Sequence, residues 1–551
     1  MADRVTGSAF ATRSEVFAAN GMVATSQPLA AQVGIDILKL GGNAADAAIA
    51  VNACLGLMEP TGCGIGGDLF VMNWNAQSGH LHGLNGSGRS AINSSLAGMR
   101  DAVERAGLKR IPEKGALSVS MPGCVDGWFR FHERFGKLPI AEVLAPAIHY
   151  AEEGFPVSEV IAHYWERTTA LQAEFPGFLD TFSVDGSRAP KKGECWKNPA
   201  LADTYRALAE EGSDAFYKGD RARKMAEFLE ENGSFIRYED FTRHQSDWVE
   251  PISTNYRGYD VWELPPNGQG LAALQILNIL EGFDLAHLGF GSADHVHTFI
   301  EAKKHAFADR ARLYTDPDFV NIPVHQLLSK EYADAQRKKI NPGKAATEIV
   351  PDPAGLHKGD TVYLCTADKD GNMVSFIQSN YHGMGSGLCP PGMGFAFQTR
   401  GSGFSLKENH ANVYEAGKRP FHTIIPAFIT KENHPLCAFG VMGGDAQPQA
   451  HAQIVMNLVD FGMNLQEAGD APRIVHSGDS DPTGKRMKDG GTVFMESGYP
   501  DATLQELARR GHRISSEGGH FGGYQAIWRD PQSGVYSGAS ESRKDGQAIG
   551  Y

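Results

Sequence analysis

The chain has 551 residues, 42% apolar and 21% charged, long enough to bury a large core and for two to four domains. That balance excludes a disordered chain or a coiled coil. A formal charge of −14, from 51 basic and 65 acidic residues, disfavours a nucleic-acid partner. No apolar run is long enough to span a membrane, and the first residues lack the apolar core of a secretory signal, so the expected location is cytoplasmic. The seven cysteines are scattered without a C-x-x-C pair, which fits reduced and mostly buried thiols.

In chain order, "TSQPLAAQVGIDILKLGGN" predicts a helix capped by Ser26, with Pro28 in its first turn and Gly41 at its left-handed exit. The alanine-rich "NAADAAIAVNACLGLM" predicts a second, core helix. "EPTGCGIGGDLFVMNW" reads as a glycine-rich turn entering a strand. A phosphate loop is disfavoured there, because no Lys-Ser/Thr ending and no helix follow. The region 125–345 reads as helical. His295 and His297, two apart on one helix, point to different faces, so joint metal ligation is not expected and no metal is called for.

From Thr361 the pattern turns to strands. Thr361–Ala367 and Met373–Ser379 flank "DKDGN", a hairpin centred on Asp370-Gly371. Further strands are expected at "GFAFQT", "TIIPAFIT", "LCAFGVM", "YQAIWRD" and "GVYSGAS", and a helix at "HAQIVMNLVDFGM". Gly359 and Asp360, poor strand formers, stand directly before Thr361: a strand may simply begin there, or the chain may be cut there. Pattern and periodicity reach no further than a large α/β protein.

The blocks "GGNAADAAIA", "GIGGDLF", "SVSMPGCVDGW", "YRGYDVWELPPNGQG", "DTVYLCTADKDGN", "GKRPFHTIIPAF" and "VMGGDAQPQ" resemble, in order and spacing, the gamma-glutamyltransferase (glutathione hydrolase) family, most nearly its acylase-like and oxamate-amidohydrolase-like branch. The resemblance implies an N-terminal nucleophile hydrolase with a four-layer αββα sandwich, needing no cofactor. It implies a proenzyme cut between Asp360 and Thr361 into entwined subunits, 1–360 and 361–551. Cleavage turns the Thr361 amide nitrogen into an amine of pKa about 7.7–8.0, able to take the proton of its own hydroxyl.

By the same resemblance Gly443 and Gly444 form the oxyanion hole, Ser379 keeps a hydroxyl where a second threonine is usual, and Arg89 clamps a substrate carboxylate. The alternatives are a strand threonine, a tight turn, a polar strand end and an exposed arginine. The chain departs from the family around the substrate: Gly403 replaces an aspartate that holds an α-ammonium, His422 and Thr423 replace two serines, Tyr381 an asparagine and Tyr363 a histidine. Arg400, in "FQTRGSGFSL", belongs to the same expected pocket.

The expected partners are a small acyl amide with water or an amine as acceptor, and the two subunits of one precursor. A homodimer is one assembly consistent with the sequence. Three functions stay open: a gamma-glutamyl hydrolase or transferase, a glutaryl (cephalosporin-type) acylase or oxamate amidohydrolase, and an inactive, uncut member with a binding role.

Overall fold

In the computed structural model, which describes residues 5–349 and 360–551, the "DKDGN" hairpin forms as its sequence predicts. Strand Asp360–Ala367 pairs antiparallel with Met373–Tyr381, and Gly371 at φ +90° sits in the turn. Gly359 lies outside the described residues. Side chains alternate across this strand: Val362 and Leu364 pack towards helices, while Tyr363 and Cys365 face a second sheet.

Two seven-stranded sheets face each other. The first runs Gln547–Gly550, Met22–Thr25, Asp360–Ala367, Met373–Tyr381, Asp68–Asn75, His80–Gly86, Asp247–Val249. The second runs Val16–Ala18, Tyr536–Ser540, Gly523–Arg529, His434–Met442, Ala427–Lys431, Tyr259–Glu263, Ile252–Tyr256. Met72, Trp74, Ile377, Phe428 and Met442 fill the space between them. Helices Pro28–Lys39, Ala44–Met58 and Cys124–Phe135 cover the first sheet. Helices Gly270–Leu280, Ala293–Leu313 and Gln447–Val459 cover the second. The result is the four-layer αββα sandwich.

Residues before and after position 360 interleave within both sheets. The small side chains of Ala44–Met58 let that helix lie fully buried between its neighbours. Six of the seven cysteines are buried, and Cys195 is exposed.

Three local expectations need correction. The first helix is capped by Gln27, whose side chain accepts from the Ala30 N–H at 3.1 Å, while the Ser26 hydroxyl donates instead to Glu59. The 125–345 region is not wholly helical: it holds five strands, three of which join the two large sheets. Two of them, Ile252–Tyr256 and Tyr259–Glu263, are joined by a tight turn at Arg257 and Gly258, both with positive φ. An arginine in the left-handed region hides that hairpin from composition rules. "GFAFQT" is not a strand, because its amides bond singly to three separate segments: Gln398 N–H to Gly66 O, Phe397 N–H to Leu388 O and Thr399 N–H to Asn380 O.

Candidate active site

The strand register slips at Thr361. Asp360 pairs with Tyr381 but Val362 pairs with Gln378, so Thr361 stands opposite two residues, Ser379 and Asn380, and the bulge lies in the partner strand. A bulge frees a residue from the ladder and re-aims its side chain. Thr361 is fully buried, and its hydroxyl donates to Ser379 Oγ at 3.3 Å. Ser379 Oγ also accepts the Tyr381 N–H at 2.8 Å, which holds Tyr381 at φ +78°, where few non-glycine residues sit.

The glycine-rich turn forms the floor beneath. A Cβ on Gly62 would come 3.2 Å from the Thr361 carbonyl carbon, and one on Gly67 2.4 Å from Ser379 O. This turn is therefore a close-approach device rather than an anion cradle.

Beyond Tyr381 lies a buried cation. The Arg400 guanidinium stacks 3.8 Å from the Tyr381 ring centre and donates from Nη1 to Thr423 Oγ1 at 2.7 Å. Its Nε and Nη2 have no hydrogen-bond partner among the described residues. Burial lowers its pKa to about 10, so it is still protonated at neutral pH. Beside it, His422 Nε2–H donates to Asp68 Oδ2 at 2.8 Å, and His422 Nδ1 accepts from the Ile424 N–H. Burial pushes this imidazole down to about 4, so it is neutral. Asp68 is fully engaged, its other oxygen accepting from Gly88 N–H and Gln398 Nε2–H, each at 2.8 Å. A Cβ at Gly403 would sit 3.1 Å from Phe421 O, leaving little room for a carboxylate there.

Gly443 and Gly444 follow strand His434–Met442 with φ +132° and +56°, and lead through a short 3-10 turn into helix Gln447–Val459. A helix start presents unpaired N–H groups and the positive end of its dipole, which suits an oxyanion. Gln269 ties this turn to the Arg400 pocket: its Nε2 donates to Thr423 O at 2.7 Å and to Gly444 O at 2.9 Å. Gln269 Oε1 accepts from Arg310 Nη1 at 2.5 Å, and the same nitrogen reaches Asp445 at 3.1 Å. Asp68, Gln269 and Arg310 escaped sequence reasoning. For Asp68 and Gln269 the only signal was position inside quoted blocks, since composition cannot show that a glutamine is buried.

Arg89 does not join this group. Its guanidinium is taken by Asp316 and Asp318 at 3.1 Å, Asp247 at 3.4 Å and Gly417 O at 3.3 Å. Three of the chain's own carboxylates occupy the fork that was expected to clamp a substrate. Tyr363 likewise turns between the sheets, its hydroxyl 2.8 Å from Ser375 Oγ. His297 meets Glu301 and His512 rather than His295. That trio is held by its own hydrogen bonds: His297 to His512 and to Asn341 O, each at 2.8 Å, and Lys304 to Glu301 at 2.8 Å.

The fold, with a buried threonine on a central strand between a hydroxyl partner and a glycine turn, defines an N-terminal nucleophile hydrolase. The chain belongs to the gamma-glutamyltranspeptidase family, whose model matches residues 30–551. It is an enzyme of the amide hydrolase and acyltransferase kind. It is 39% identical to a glutathione hydrolase-like YwrD proenzyme of Bacillus subtilis (strain 168), with 96% of this chain and 98% of that one aligned. It is 34% identical to the acylase ACY 1 proenzyme of Pseudomonas sp. (strain SE83), over 96% and 93% of the two chains. The crystal structure of a cephalosporin acylase from Bacillus halodurans superposes with a TM-score of 0.90 at 46% identity, over 100% of this chain and 99% of that one.

Proposed function

We propose that Thr361, freed by cleavage after Asp360, is the nucleophile of an amide hydrolase or acyltransferase whose acyl group carries a carboxylate but no α-ammonium. The observation that carries the acyl preference is the buried, half-paired Arg400 guanidinium beside the Thr423 hydroxyl. Two N–H groups left unpaired inside a protein are costly, and a carboxylate satisfies both in a bidentate pair. An ammonium at the same place meets a like charge. Gly403 offers it no counter-ion, and Asp68 is already engaged by three donors.

In precursor processing the Thr361 hydroxyl attacks the Asp360 carbonyl. The Asp360–Thr361 C–N bond breaks, the hydroxyl proton passes to the departing nitrogen, and water opens the resulting ester. In turnover the free α-amine of Thr361 takes the hydroxyl proton as Oγ attacks the substrate amide. Gly443 and Gly444 receive the oxyanion. The amide C–N bond breaks, the leaving amine takes the proton, and the acyl group stays on Oγ until water or an amine removes it. Ser379 orients the hydroxyl. The two subunits, 1–360 and 361–551, stay joined by the shared sheets.

The test is the ratio of kcat/KM for glutaryl and gamma-glutamyl p-nitroanilide on processed protein. A preference for the glutaryl compound of at least about tenfold is expected, from one desolvated ammonium without a partner. A preference for the gamma-glutamyl compound would reverse the acyl assignment. Oxamate turnover exceeding both would assign a shorter dicarboxylic monoamide to the same arginine.

A further inference from the structure

Away from the threonine, helix Ala293–Leu313 brings His297 and Glu301 together with His512, which follows helix Asp501–Arg509. Residues four apart share one helix face, and the third side chain arrives from a distant segment to close the group. His295, the partner that sequence spacing offered, is occupied elsewhere, its Nδ1 accepting from the Gly291 N–H at 3.2 Å. We propose that His297, Glu301 and His512 form a zinc site.

Three observations fit these residues to zinc. The first is the donor set. Two imidazoles and a carboxylate are a set that zinc takes, with its fourth position left to water. The donor atoms lie within 4.8 Å of one another, and His297 Nδ1 is 2.8 Å from His512 Nε2. Zinc bonds of about 2.0–2.2 Å put tetrahedral ligands roughly 3.3 Å apart, so the two nitrogens need part by only about 0.5 Å. The second is the setting of His297. Its Nε2 stands 2.8 Å from Asn341 O, which places the proton on Nε2 and leaves a lone pair on Nδ1. A ligating histidine is held in this way, by its other N–H on a backbone carbonyl. The third is His512. Its Nε2–H therefore donates to His297, while its Nδ1, on a side chain 5% exposed, has no hydrogen-bond partner among the described residues. Only the bond that zinc replaces keeps the proton on Nε2. On binding, that proton moves to Nδ1, Nε2 takes the metal, and none is released.

Lys304 sets the strength of the site. Its Nζ lies 2.8 Å from Glu301 Oε1 and 2.8 Å from Ala346 O, and the Ala346 N–H donates to Glu301 Oε2 at 3.1 Å. An ammonium on the ligating carboxylate opposes the ion, so the affinity falls short of a closed structural site and is of about micromolar order. Ala346 also lines an open cleft of about 590 Å³, which gives the ion a way in. His297 and Glu301 precede position 360 and His512 follows it. The ion therefore fastens together the two chains of the processed enzyme. That consequence rests on the proposed cleavage, whereas zinc binding does not.

Isothermal titration of chelator-treated protein with zinc chloride tests the site. The wild-type protein is expected to take one zinc per chain at about micromolar affinity, and its thermal midpoint to rise by about 2 °C at a hundredfold excess over Kd. Cobalt(II) should give the visible bands of a four-coordinate ion, which scattered surface histidines do not. His512→Ala should abolish the tight equivalent, with His512→Gln in its place if circular dichroism shows the alanine variant unfolded. Lys304→Met should tighten binding about tenfold, because the carboxylate loses its competing cation. No stoichiometric zinc on the wild-type protein, or a tight equivalent that survives loss of His512, overturns the proposal. Weaker binding in Lys304→Met overturns it as well. None of these outcomes bears on Thr361 or Arg400.

Discussion

Arg400 shows what a single buried group can decide. Its charge survives burial, and only one of its donor groups is matched by Thr423. Arg400→Gln should raise KM for a carboxylate-bearing acyl donor by about 30-fold to 5,000-fold, the ~2–5 kcal/mol of a desolvated charge pair. Processing should persist, since Arg400 bonds to neither Asp360 nor Thr361. Arg400→Lys should not restore KM, because an ammonium lacks the planar fork and the stacking on Tyr381. Initial-rate kinetics on the three proteins, with a gel to score processing, check this. Sequence alone placed Arg400 in the pocket only by its neighbourhood and gave the clamp to Arg89. The fork of Arg89 faces Asp316, Asp318 and Asp247, from segments more than 150 residues away, and no local pattern announces such a pairing.

The working parts are set by where elements end. Thr361 stands near the start of its strand opposite a bulge at the end of strand Met373–Tyr381, the strand before Gly443 gives way to a helix start, and Gln269 stands just before helix Gly270–Leu280. Gln269 holds the Thr423 and Gly444 carbonyls with one nitrogen, so it fixes the spacing between the proposed acyl pocket and the proposed oxyanion turn. Gln269→Ala should lower kcat by about 10-fold to 100-fold through a loosened turn, somewhat less than loss of a whole oxyanion donor. KM should rise less, because Arg400 remains. Parallel kcat and KM measurements separate this from a general loss of folded enzyme, which alters neither constant per active site.

Hairpin, helices and glycine turn were legible because their signals are local: "DKDGN", the alanine run, and "GIGG" before a strand. "GFAFQT" misled for the same reason. Its aromatic alternation suits a strand, but the backbone acceptors its amides meet are single atoms on three separate segments, at Gly66, Leu388 and Asn380.

Across the whole molecule, interleaved strands make the two halves one folding unit. Residues 22–25, 360–367 and 547–550 stand side by side in one sheet, so fragments cut after Asp360 should co-elute and separate only in denaturant. Size-exclusion chromatography with a denaturing gel measures this. The four-layer architecture was available from the family blocks but not from periodicity, because Asp247–Val249 and Ile252–Glu263 join different sheets from within a stretch that otherwise reads as helix.

Buried histidines give the molecule a characteristic acid response. Burial pushes His295, His305, His410 and His422 down to about 4, and His451 and His512 to about 3. Unfolded histidine titrates near about 6.5, so below that pH the unfolded chain binds more protons than the native one. Stability from these groups is complete above pH 6.5 and is lost progressively as pH falls towards 4 and then 3. The thermal midpoint should therefore decline steadily between pH 6.5 and 4, as calorimetry in matched ionic strength would record. A midpoint flat over that window would contradict the neutral, buried state of these rings.

On the proposed mechanism, a threonine acquires catalytic power by becoming a chain terminus. Intact mass spectrometry of the purified active protein and of Thr361→Ala, run beside an amide hydrolysis assay, measures it most directly. Two fragments are expected, the smaller beginning at Thr361, together with turnover, and a single inactive full-length species for the variant. A full-length wild-type chain that hydrolyses amides, or a Thr361→Ala protein that is still cut and active, would contradict it.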